Sequence, residues 1–307
     1  MRILVTGATG FLGRFLSDVL ESRGAEVVRL GSKDADLLHE SSLDTYGEIR
    51  FDIIYHLAAW TQAGDFCLHH PGEQWVINQR INTNVLDWWR RRQPQAKIVC
   101  MGTSCSYDPE LELVEENYLA GSPIDSLFTY AMTKRMLYVG LLALRKQFGL
   151  RYLHLVPSTL YGPGYHADGR QMHFIFDLIR KILRGKRLDE PVVLWGDGHQ
   201  RREVIYIEDF VRIALDLTER CENETVNIGS GREYSIREFA GMICRMVDYD
   251  PEAIKYDTSR YVGARSKCLD VRKMHEWIAE PPETPVKEGL EKTITWFEAN
   301  ADRFLSK

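Results

Sequence analysis

Short apolar runs alternate with amphipathic stretches through the first half of the chain. Helical spacing of apolar residues predicts helices near Phe11–Ser22, Glu73–Arg91 and Tyr130–Phe148. The apolar runs between them are short enough to be buried strands, and they lie at Arg2–Val5, Glu26–Leu30, Asp52–Leu57, Lys97–Met101 and Arg151–Val156. Strands that alternate with helices form parallel sheets with helices on both faces. The pattern therefore predicts an α/β fold, a Rossmann-type doubly wound parallel sheet.

The second half changes character after Tyr161-Gly162-Pro163. Its shorter, mixed pieces are predicted as strands at Val192–Trp195 and Glu203–Tyr206, and as helices near Met172–Arg184, Ile207–Thr218 and Ser235–Met246. A proline-rich loop at residues 281–285 precedes a last helix. We expect a first domain over residues 1–160 and a smaller mixed α/β domain over 161–307, with segments near 204–230 returning to the first.

Charge and cysteine content argue against several classes of protein. The 307 residues carry a net charge of −5, so no basic field is available for nucleic acid. The run Arg90-Arg91-Arg92 closes a predicted helix, where cations offset the helix dipole. The six cysteines form no CxxC pair and no short Cys/His cluster, which argues against a metal site or a disulfide framework. With neither a cationic leader nor an apolar run of about 18 residues, we expect a soluble, cytoplasmic protein without a membrane partner.

A glycine-rich turn joins the first predicted strand to the first predicted helix. Glycines at 7, 10 and 13 let the backbone turn tightly, approach a pyrophosphate and pack the helix closely on the sheet. The helix N-terminus then offers N–H groups to the phosphates. A GxxGxxG string in this position predicts a dinucleotide site, whose expected contacts are Gly7, Thr9, Gly10, Phe11, Leu12 and Gly13.

The end of the second predicted strand bears on the choice between NAD and NADP. It reads Leu30-Gly31-Ser32-Lys33, with no carboxylate at the strand tip for the adenosine ribose. Ser32 and Lys33 are suited instead to a 2′-phosphate, so we expect NADP(H) to be preferred, with NAD(H) possible. Further cofactor contacts are expected from the loop over the adenine, at Asp36 and Leu37, and from the small residues beneath the cofactor, at Leu57, Ala58 and Ala59.

Tyr130 and Lys134 lie four residues apart at the start of a long predicted helix. This spacing puts phenol and ammonium on one face, about one turn apart. A lysine cation lowers the pKa of a phenol, which can then exchange a proton with a sugar hydroxyl or ketone near neutral pH. The strand Lys97–Met101 runs into Gly102-Thr103-Ser104-Cys105-Ser106-Tyr107, a loop expected to leave a hydroxyl beside the same substrate oxygen.

These motifs resemble the extended short-chain dehydrogenases/reductases of the NAD-dependent epimerase/dehydratase family, and above all its GDP-L-fucose synthase group. The resemblance spans essentially the whole chain and also rests on residues 160–163, 195–198, 202–203, 227–231 and 235–238. It implies a catalytic triad of Thr103, Tyr130 and Lys134. It also implies cofactor contacts from Tyr130, Lys134, Pro157 and Leu160.

The two residues after Thr103 separate the subfamilies. Sugar 4,6-dehydratases of this kind carry an Asp-Glu pair where this chain has Ser104-Cys105, so dehydration is not expected. Fucose synthases carry a cysteine at the position of Cys105 and a histidine that lines up with His173. The resemblance implies that these two epimerise the carbons beside a 4-keto group, because the ketone acidifies the adjacent C–H bonds. The alternative is that Cys105 is a small buried residue that only fills space, and that His173 is a surface histidine on a helix.

The resemblance further implies a nucleotide-diphosphate sugar as substrate, with a GDP-sugar expected. Cations that suit a diphosphate fall at the family's positions in Lys181, Arg202 and Lys267, with Arg201 as an alternative to Arg202. Ser104 and Trp195 complete the expected substrate contacts. The chain departs from many fucose synthases at Thr9, where they carry arginine, at Thr159, where they carry asparagine, and in an unusual loop over residues 60–70.

We therefore expect NADPH-dependent reduction at C4 of an NDP-4-keto-6-deoxy sugar, with epimerisation at C3 and/or C5. Two alternatives within the same chemistry are a C4-epimerase and a simple C4-reductase, in which Cys105 and His173 are idle. A non-catalytic NADP-binding regulator is a third, against which the intact set of Thr103, Tyr130 and Lys134 argues. The helices at 73–91 and 130–148 are predicted to form the interface of a homodimer, unless their apolar residues belong to the core.

Overall fold

The computed structural model describes residues 1–166, 168–260 and 262–305. The strands are β1 (Arg2–Thr6), β2 (Glu26–Leu30), β3 (Ile53–His56), β4 (Lys97–Met101), β5 (Tyr152–Pro157), β6 (Thr159–Tyr161), β7 (Val193–Trp195), β8 (Arg201–Tyr206), β9 (Glu224–Ile228), β10 (Glu233–Ser235) and β11 (Lys255–Asp257). The helices are α1 (Phe11–Ser22), α2 (Phe66–His69), α3 (Pro71–Arg92), α4 (Phe128–Phe148), α5 (Phe174–Leu188), α6 (Ile207–Arg220), α7 (Ile236–Val247), α8 (Arg272–Trp277), α9 (Val286–Ala299) and α10 (Ala301–Phe304).

A six-stranded parallel sheet in the order β2-β1-β3-β4-β5-β9 forms the larger layer. Its central strands are largely apolar because helices cover both faces, and every residue of β4 is buried. Side chains of α3 and α4 pack on one face, and those of α1 and α6 pack on the other. The predicted Rossmann-type α/β fold is therefore confirmed.

The second half of the chain adds a smaller mixed layer. Strands β10, β8 and β6 form a three-stranded sheet, and β11 pairs with β7. Helices α5, α7, α9 and α10 enclose an apolar core against these strands. Phe11, at the start of α1, joins the two halves, because its ring meets Tyr165 edge-on at 5.2 Å and Phe176 at 5.7 Å between centroids.

The carboxyl ends of the parallel strands meet along one edge of the large sheet, where ligands bind in open α/β folds. The loops after β1, β2, β3 and β4 all begin there, and a short 3₁₀ turn over Ser104–Ser106 follows β4. Most of the residues predicted to contact the cofactor or to act in catalysis lie in these loops or on the first turns of α1 and α4. No helix in the described ranges combines the length and apolar character needed to cross a membrane.

Candidate active site

The loop between β1 and α1 has the shape of a phosphate cradle. Gly7 has a left-handed backbone with φ of +68°, and a Cβ on Gly13 would lie 2.2 Å from the carbonyl oxygen of Gly7. Helix α1 begins after Gly10 with no side-chain cap and no acidic residue in its first turn. Its first N–H groups are therefore left to donate hydrogen bonds to an anion. This geometry fits a dinucleotide pyrophosphate, with Thr9, Phe11 and Leu12 beside it.

The tip of β2 differs from the sequence expectation in one respect. Ser32 and Lys33 are exposed beyond the strand, as a 2′-phosphate site requires. Asp34, however, turns back, and its Oδ2 accepts the N–H of Gly31 at 2.8 Å. The prediction that no carboxylate reaches the strand tip is therefore wrong, because the turn after Gly31 folds the next acidic residue onto it.

The other predicted cofactor residues frame the same edge of the sheet. Leu57, Ala58 and Ala59 follow β3, and a Cβ on Gly7 would lie 2.8 Å from the backbone nitrogen of Ala58. Leu37 is buried, and Asp36 accepts the N–H of Leu38 at 3.1 Å. At the far side, Pro157 ends β5 and Leu160 lies in β6.

Tyr130, Lys134 and Thr103 meet where α4 crosses the end of β4. The Nζ of Lys134 lies 6.0 Å from the centre of the Tyr130 ring and donates to the carbonyl oxygen of Met101 at 3.0 Å. Burial lowers the pKa of Lys134 to about 8, which leaves most of it charged at neutral pH. The Oγ1 of Thr103 accepts the N–H of Cys105 at 3.2 Å.

The pKa of Tyr130 is shifted upward, opposite to the direction expected from the sequence. Burial raises the pKa of Tyr130, and the neighbouring thiols of Cys105 and Cys67 add to the rise, while a side-chain hydrogen bond with Thr103 partly offsets it. The prediction that Lys134 lowers this pKa is wrong for this structure, because burial dominates and the ammonium is held at the Met101 carbonyl. Tyr130 is therefore a protonated phenol at neutral pH, the form that donates a proton to a ketone oxygen.

Two residues that the sequence analysis missed hold the catalytic loop on α4. Arg135 is buried, and its guanidinium donates to the carbonyl of Ser106 at 2.6 Å and to those of Ala120 and Gly121 at 2.7 and 2.8 Å. The hydroxyl oxygen of Tyr118 accepts the N–H of Thr103 at 3.4 Å. The sequence shows only that Arg135 directly follows the YxxxK lysine, and its burial depends on the fold.

Cys105 lines a cavity of about 90 Å³ together with Ser104, Arg202 and Lys267. The Nζ of Lys267 lies 2.8 Å from its Sγ. Burial alone would raise the pKa of Cys105, but the charge and hydrogen bond of Lys267, the hydrogen bond from Thr103 and the charge of Arg202 outweigh it, so the net shift is downward. The lysine contact and the lowered pKa favour the thiolate form of Cys105.

His173 is the N-cap residue of α5, one position before the helix begins. The residue is exposed, although neighbouring protein atoms partly desolvate its ring. This desolvation, with the charges of Lys267 and His166, lowers the pKa of His173 to about 4. Lys267 thus acts electrostatically on both Cys105 and His173, and the imidazole is neutral at pH 7.

The other predicted substrate residues are more dispersed. Arg202 donates to the carbonyls of Val262 and Ala264 at 2.6 and 2.8 Å. Lys181 forms an ion pair with Asp177 at 3.0 Å on α5, and the Trp195 ring lies 5.4 Å from the guanidinium of Arg260. Neither Lys181 nor Trp195 is among the described residues that line the Cys105 cavity.

A buried acid and a bridging glutamine also escaped the sequence analysis. Glu203 in β8 is buried, which raises its pKa to about 7, and it accepts the N–H groups of Gly231 and Leu269 at 2.7 and 2.9 Å. Gln171 binds Asp65 through both its amide atoms, at 2.6 and 3.0 Å. This bridge ties the unusual loop at 60–70 to the segment that precedes His173.

Comparisons with known proteins agree with this geometry. Residues 3–229 match the model of the "NAD dependent epimerase/dehydratase family". A dTDP-4-dehydro-6-deoxy-D-allose reductase of Streptomyces sp. is 31% identical, over 96% of this chain and 95% of that one. The GDP-L-fucose synthase of Escherichia coli (strain K12) is 28% identical, over 99% and 98% of the two chains.

A solved structure gives the same fold. The GDP-L-fucose synthetase of Naegleria fowleri bound to NADP superimposes with a TM-score of 0.86 at 23% identity, over 99% of this chain and 96% of that one. The family match over residues 3–229 and the Streptomyces relative confirm the sequence resemblance at the level of the family. The chain belongs to the NAD-dependent epimerase/dehydratase family and is an NAD(P)-dependent oxidoreductase.

Proposed function

We propose that this enzyme reduces C4 of an NDP-4-keto-6-deoxy sugar with NADPH and epimerises C3 and/or C5 of the same sugar, with a GDP-sugar as the expected substrate. One observation carries the proposal, namely that a single short loop provides both Thr103 and Cys105. Thr103 lies beside the protonated Tyr130, and the Sγ of Cys105, two residues further on, lies 2.8 Å from the Nζ of Lys267. A donor for a ketone oxygen and a thiolate base for the neighbouring carbons thus share one site. Relatives named as a 4-keto-sugar reductase and a GDP-L-fucose synthase support the substrate class.

Each residue has a distinct part in the proposed reaction. NADPH, when bound, supplies the hydride that reduces C4. Tyr130 donates its phenolic proton to O4, and Thr103 shares the hydrogen bond that orients the substrate oxygen. Lys134 helps to orient the substrate oxygen, with its ammonium anchored at the Met101 carbonyl beside the tyrosine ring. Cys105 takes a proton from the carbon beside the ketone, and His173 serves the opposite proton transfer.

The diphosphate of the sugar is assigned to Lys181 and Arg202, with Lys267 nearby. Arg202 is already engaged by backbone carbonyls at 262 and 264, so diphosphate binding there requires it to exchange those carbonyls for phosphate oxygens. Such an exchange is favourable because a guanidinium–phosphate hydrogen bond is charge-assisted.

NADPH is expected to bind more tightly than NADH. Lys33 lies exposed at the tip of β2 with Ser32 beside it, where a cation attracts the 2′-phosphate. Lys33→Ala should weaken NADPH binding about tenfold, the worth of one charge-assisted contact, and should leave NADH binding unchanged. Calorimetric titration of both cofactors measures this.

Asp34→Ala is the matched control for the cofactor prediction, because the Asp34 carboxylate lies at the same strand tip. This variant should not weaken NADPH binding. Equal affinities for the two cofactors, or a preference for NADH that Lys33→Ala does not change, would contradict the NADP assignment.

A simple C4-reductase is the second candidate, favoured by the 31% identity to an enzyme named as a reductase alone. The two functions differ in the fate of the protons at C3 and C5. A panel of GDP-, dTDP-, UDP- and CDP-linked 4-keto-6-deoxy sugars, followed by NADPH consumption and product NMR, tests both. NADPH consumption with inversion supports the proposal, consumption without inversion supports the reductase, and no consumption with any sugar refutes both.

We also propose that two copies of the chain associate through α3 and α4. These helices leave apolar side chains exposed on their outer faces, namely Trp75, Val76, Met136, Val139, Leu142 and Phe148, and a paired four-helix interface would cover them. Light scattering should give twice the chain mass for wild type and the mass of one chain for Val139→Arg. A monomeric wild type would refute the dimer.

A further inference from the structure

The contact between Lys267 and Cys105 joins residues 162 positions apart in the chain. The Nζ of Lys267 donates to the Sγ of Cys105 at 2.8 Å, so a cation lies directly against this sulfur. We propose that Lys267 is the positioning residue that keeps Cys105 deprotonated, and that it is not only a ligand for the diphosphate. The purpose of that thiolate rests on the proposed function, since a base is needed for epimerisation.

Lys267 is held in place by its backbone and does not reach the thiol as a loose surface side chain. It belongs to the segment 262–270, which lies against β8 and β10. Oε2 of Glu233 accepts the N–H of Lys267 at 3.3 Å and the hydroxyl of Ser266 at 2.7 Å. Glu203 fixes Leu269, two residues further along. Because the backbone is fixed on both sides, holding the ammonium at the sulfur requires only the side chain of Lys267 to become ordered.

The charges around Cys105 favour the thiolate. Lys267 and Arg202 are cations from two different segments, and the main-chain N–H of Cys105 itself is bound by Thr103. Four other titratable groups act on this thiol or share its surroundings. They are Cys67 on α2, Tyr118 in the loop that precedes α4, Tyr130 on α4 itself, and His173 at the start of α5. Their pKa shifts leave all four uncharged at neutral pH, so none opposes the two cations.

The remaining cysteines behave in the opposite way. Burial raises the pKa of Cys100 and of Cys268 to about 12, and that of Cys221 and of Cys244 to about 11, and it raises the pKa of Cys67 as well. Cys105 therefore differs from the other five cysteines of the chain through its lysine partner. An electrophile that reacts with thiolates should modify Cys105 selectively at neutral pH.

The proton balance shows why the charge state matters. In the proposed epimerisation the Sγ lone pair forms an S–H bond as the C–H bond beside the ketone breaks, and the electron pair moves to the ketone oxygen as an enolate. On the other face the neutral His173 imidazole gives up its N–H proton to the carbon as its second nitrogen takes a proton from solvent. The enolate electron pair returns to the carbon and re-forms the ketone, and the Cys105 thiol later loses its proton to solvent, so the step is redox-neutral. A neutral thiol has no charge with which to begin this transfer, whereas a thiolate paired with Lys267 does.

The test is the pH profile of Cys105 alkylation by iodoacetamide, without any sugar or cofactor, followed by peptide mass spectrometry. Wild type should show a midpoint clearly below that of an ordinary thiol, about 8.5. Lys267→Met should raise the midpoint by about one pH unit or more and slow alkylation at pH 7 about tenfold. Lys267→Arg should restore most of the effect because it keeps the charge. Lys292→Met removes a lysine that pairs with Glu288 on α9 and should change nothing.

An unchanged midpoint in Lys267→Met would overturn the proposal and leave Lys267 as a diphosphate ligand only. Should that variant fail to fold, the thiolate absorbance of wild type minus Cys105→Ala gives the midpoint directly, and a value at or above 8.5 overturns the proposal equally. Neither measurement uses a sugar. A failed substrate panel with a shifted midpoint would therefore reject the proposed function and leave the Lys267–Cys105 pair intact.

Discussion

Tyr130→Phe is expected to lower turnover by roughly two or more orders of magnitude, the usual worth of a positioned acid or base, while NADPH binds almost as before. The phenylalanine keeps the ring and its packing at the start of α4 but removes the proton that O4 must receive. Burial raises the pKa of Tyr130, so the wild-type phenol is already protonated at neutral pH. The variant has no other acid at that position.

Stopped-flow reduction of a competent 4-keto sugar measures the loss, and calorimetry measures cofactor affinity. Tyr46→Phe is the matched control, since Tyr46 lies in a short 3₁₀ turn after β2 and has no assigned role in the site. Near-normal turnover in Tyr130→Phe would remove this residue from the mechanism and reopen the possibility of a non-catalytic NADP-binding regulator.

Five of the six strands of the large sheet could be predicted from the sequence because most of their residues are apolar, whereas no strand was predicted at β9. β2 and β4 have the predicted bounds, and β1, β3 and β5 differ by one residue at one or both ends. A strand covered on both faces reads as a short run of mostly apolar residues, which differs from the spaced apolar residues of an amphipathic helix. The shorter strands β6, β10 and β11 leave no such run, because three residues are too few for a period.

The candidate site could be predicted only where its residues follow one another in the chain. Three local patterns lie at the ends of predicted strands and helices. They are the glycine turn, the pair Tyr130 and Lys134, and the pair Thr103 and Cys105. Lys267 was assigned to a diphosphate on its position alone, because its contact with Cys105 depends on how residues 262–270 lie against β8 and β10. The rise in the pKa of Tyr130 was missed for a related reason, since burial is a property of the whole fold.

Cys105→Ser is expected to lower the rate at which the C3 and C5 protons exchange with solvent by two orders of magnitude or more, so that no exchange is detected. Lys267 stabilises a thiolate at 2.8 Å, but a serine hydroxyl is far too weak an acid to be ionised by one ammonium. Reduction at C4 should persist on a substrate that needs no inversion, because Tyr130 and Thr103 deliver that proton. Cys268→Ser is the matched control, since burial raises the pKa of Cys268 to about 12 and its thiol is neutral.

Incubation of the enzyme in heavy water with NADP and a 4-keto sugar, followed by NMR of the C3 and C5 positions, separates the two losses. Wild type should incorporate deuterium at one or both carbons, and Cys105→Ser should incorporate none. His173→Asn should give exchange without completed inversion, because the thiolate still removes the proton while its return to the opposite face is impaired. These losses are separable because each step places charge at a different atom. If wild type supplied with NADPH reduces its sugar, yet no deuterium enters either carbon in the incubation with NADP, the enzyme is a simple C4-reductase, and Cys105 has only a packing role.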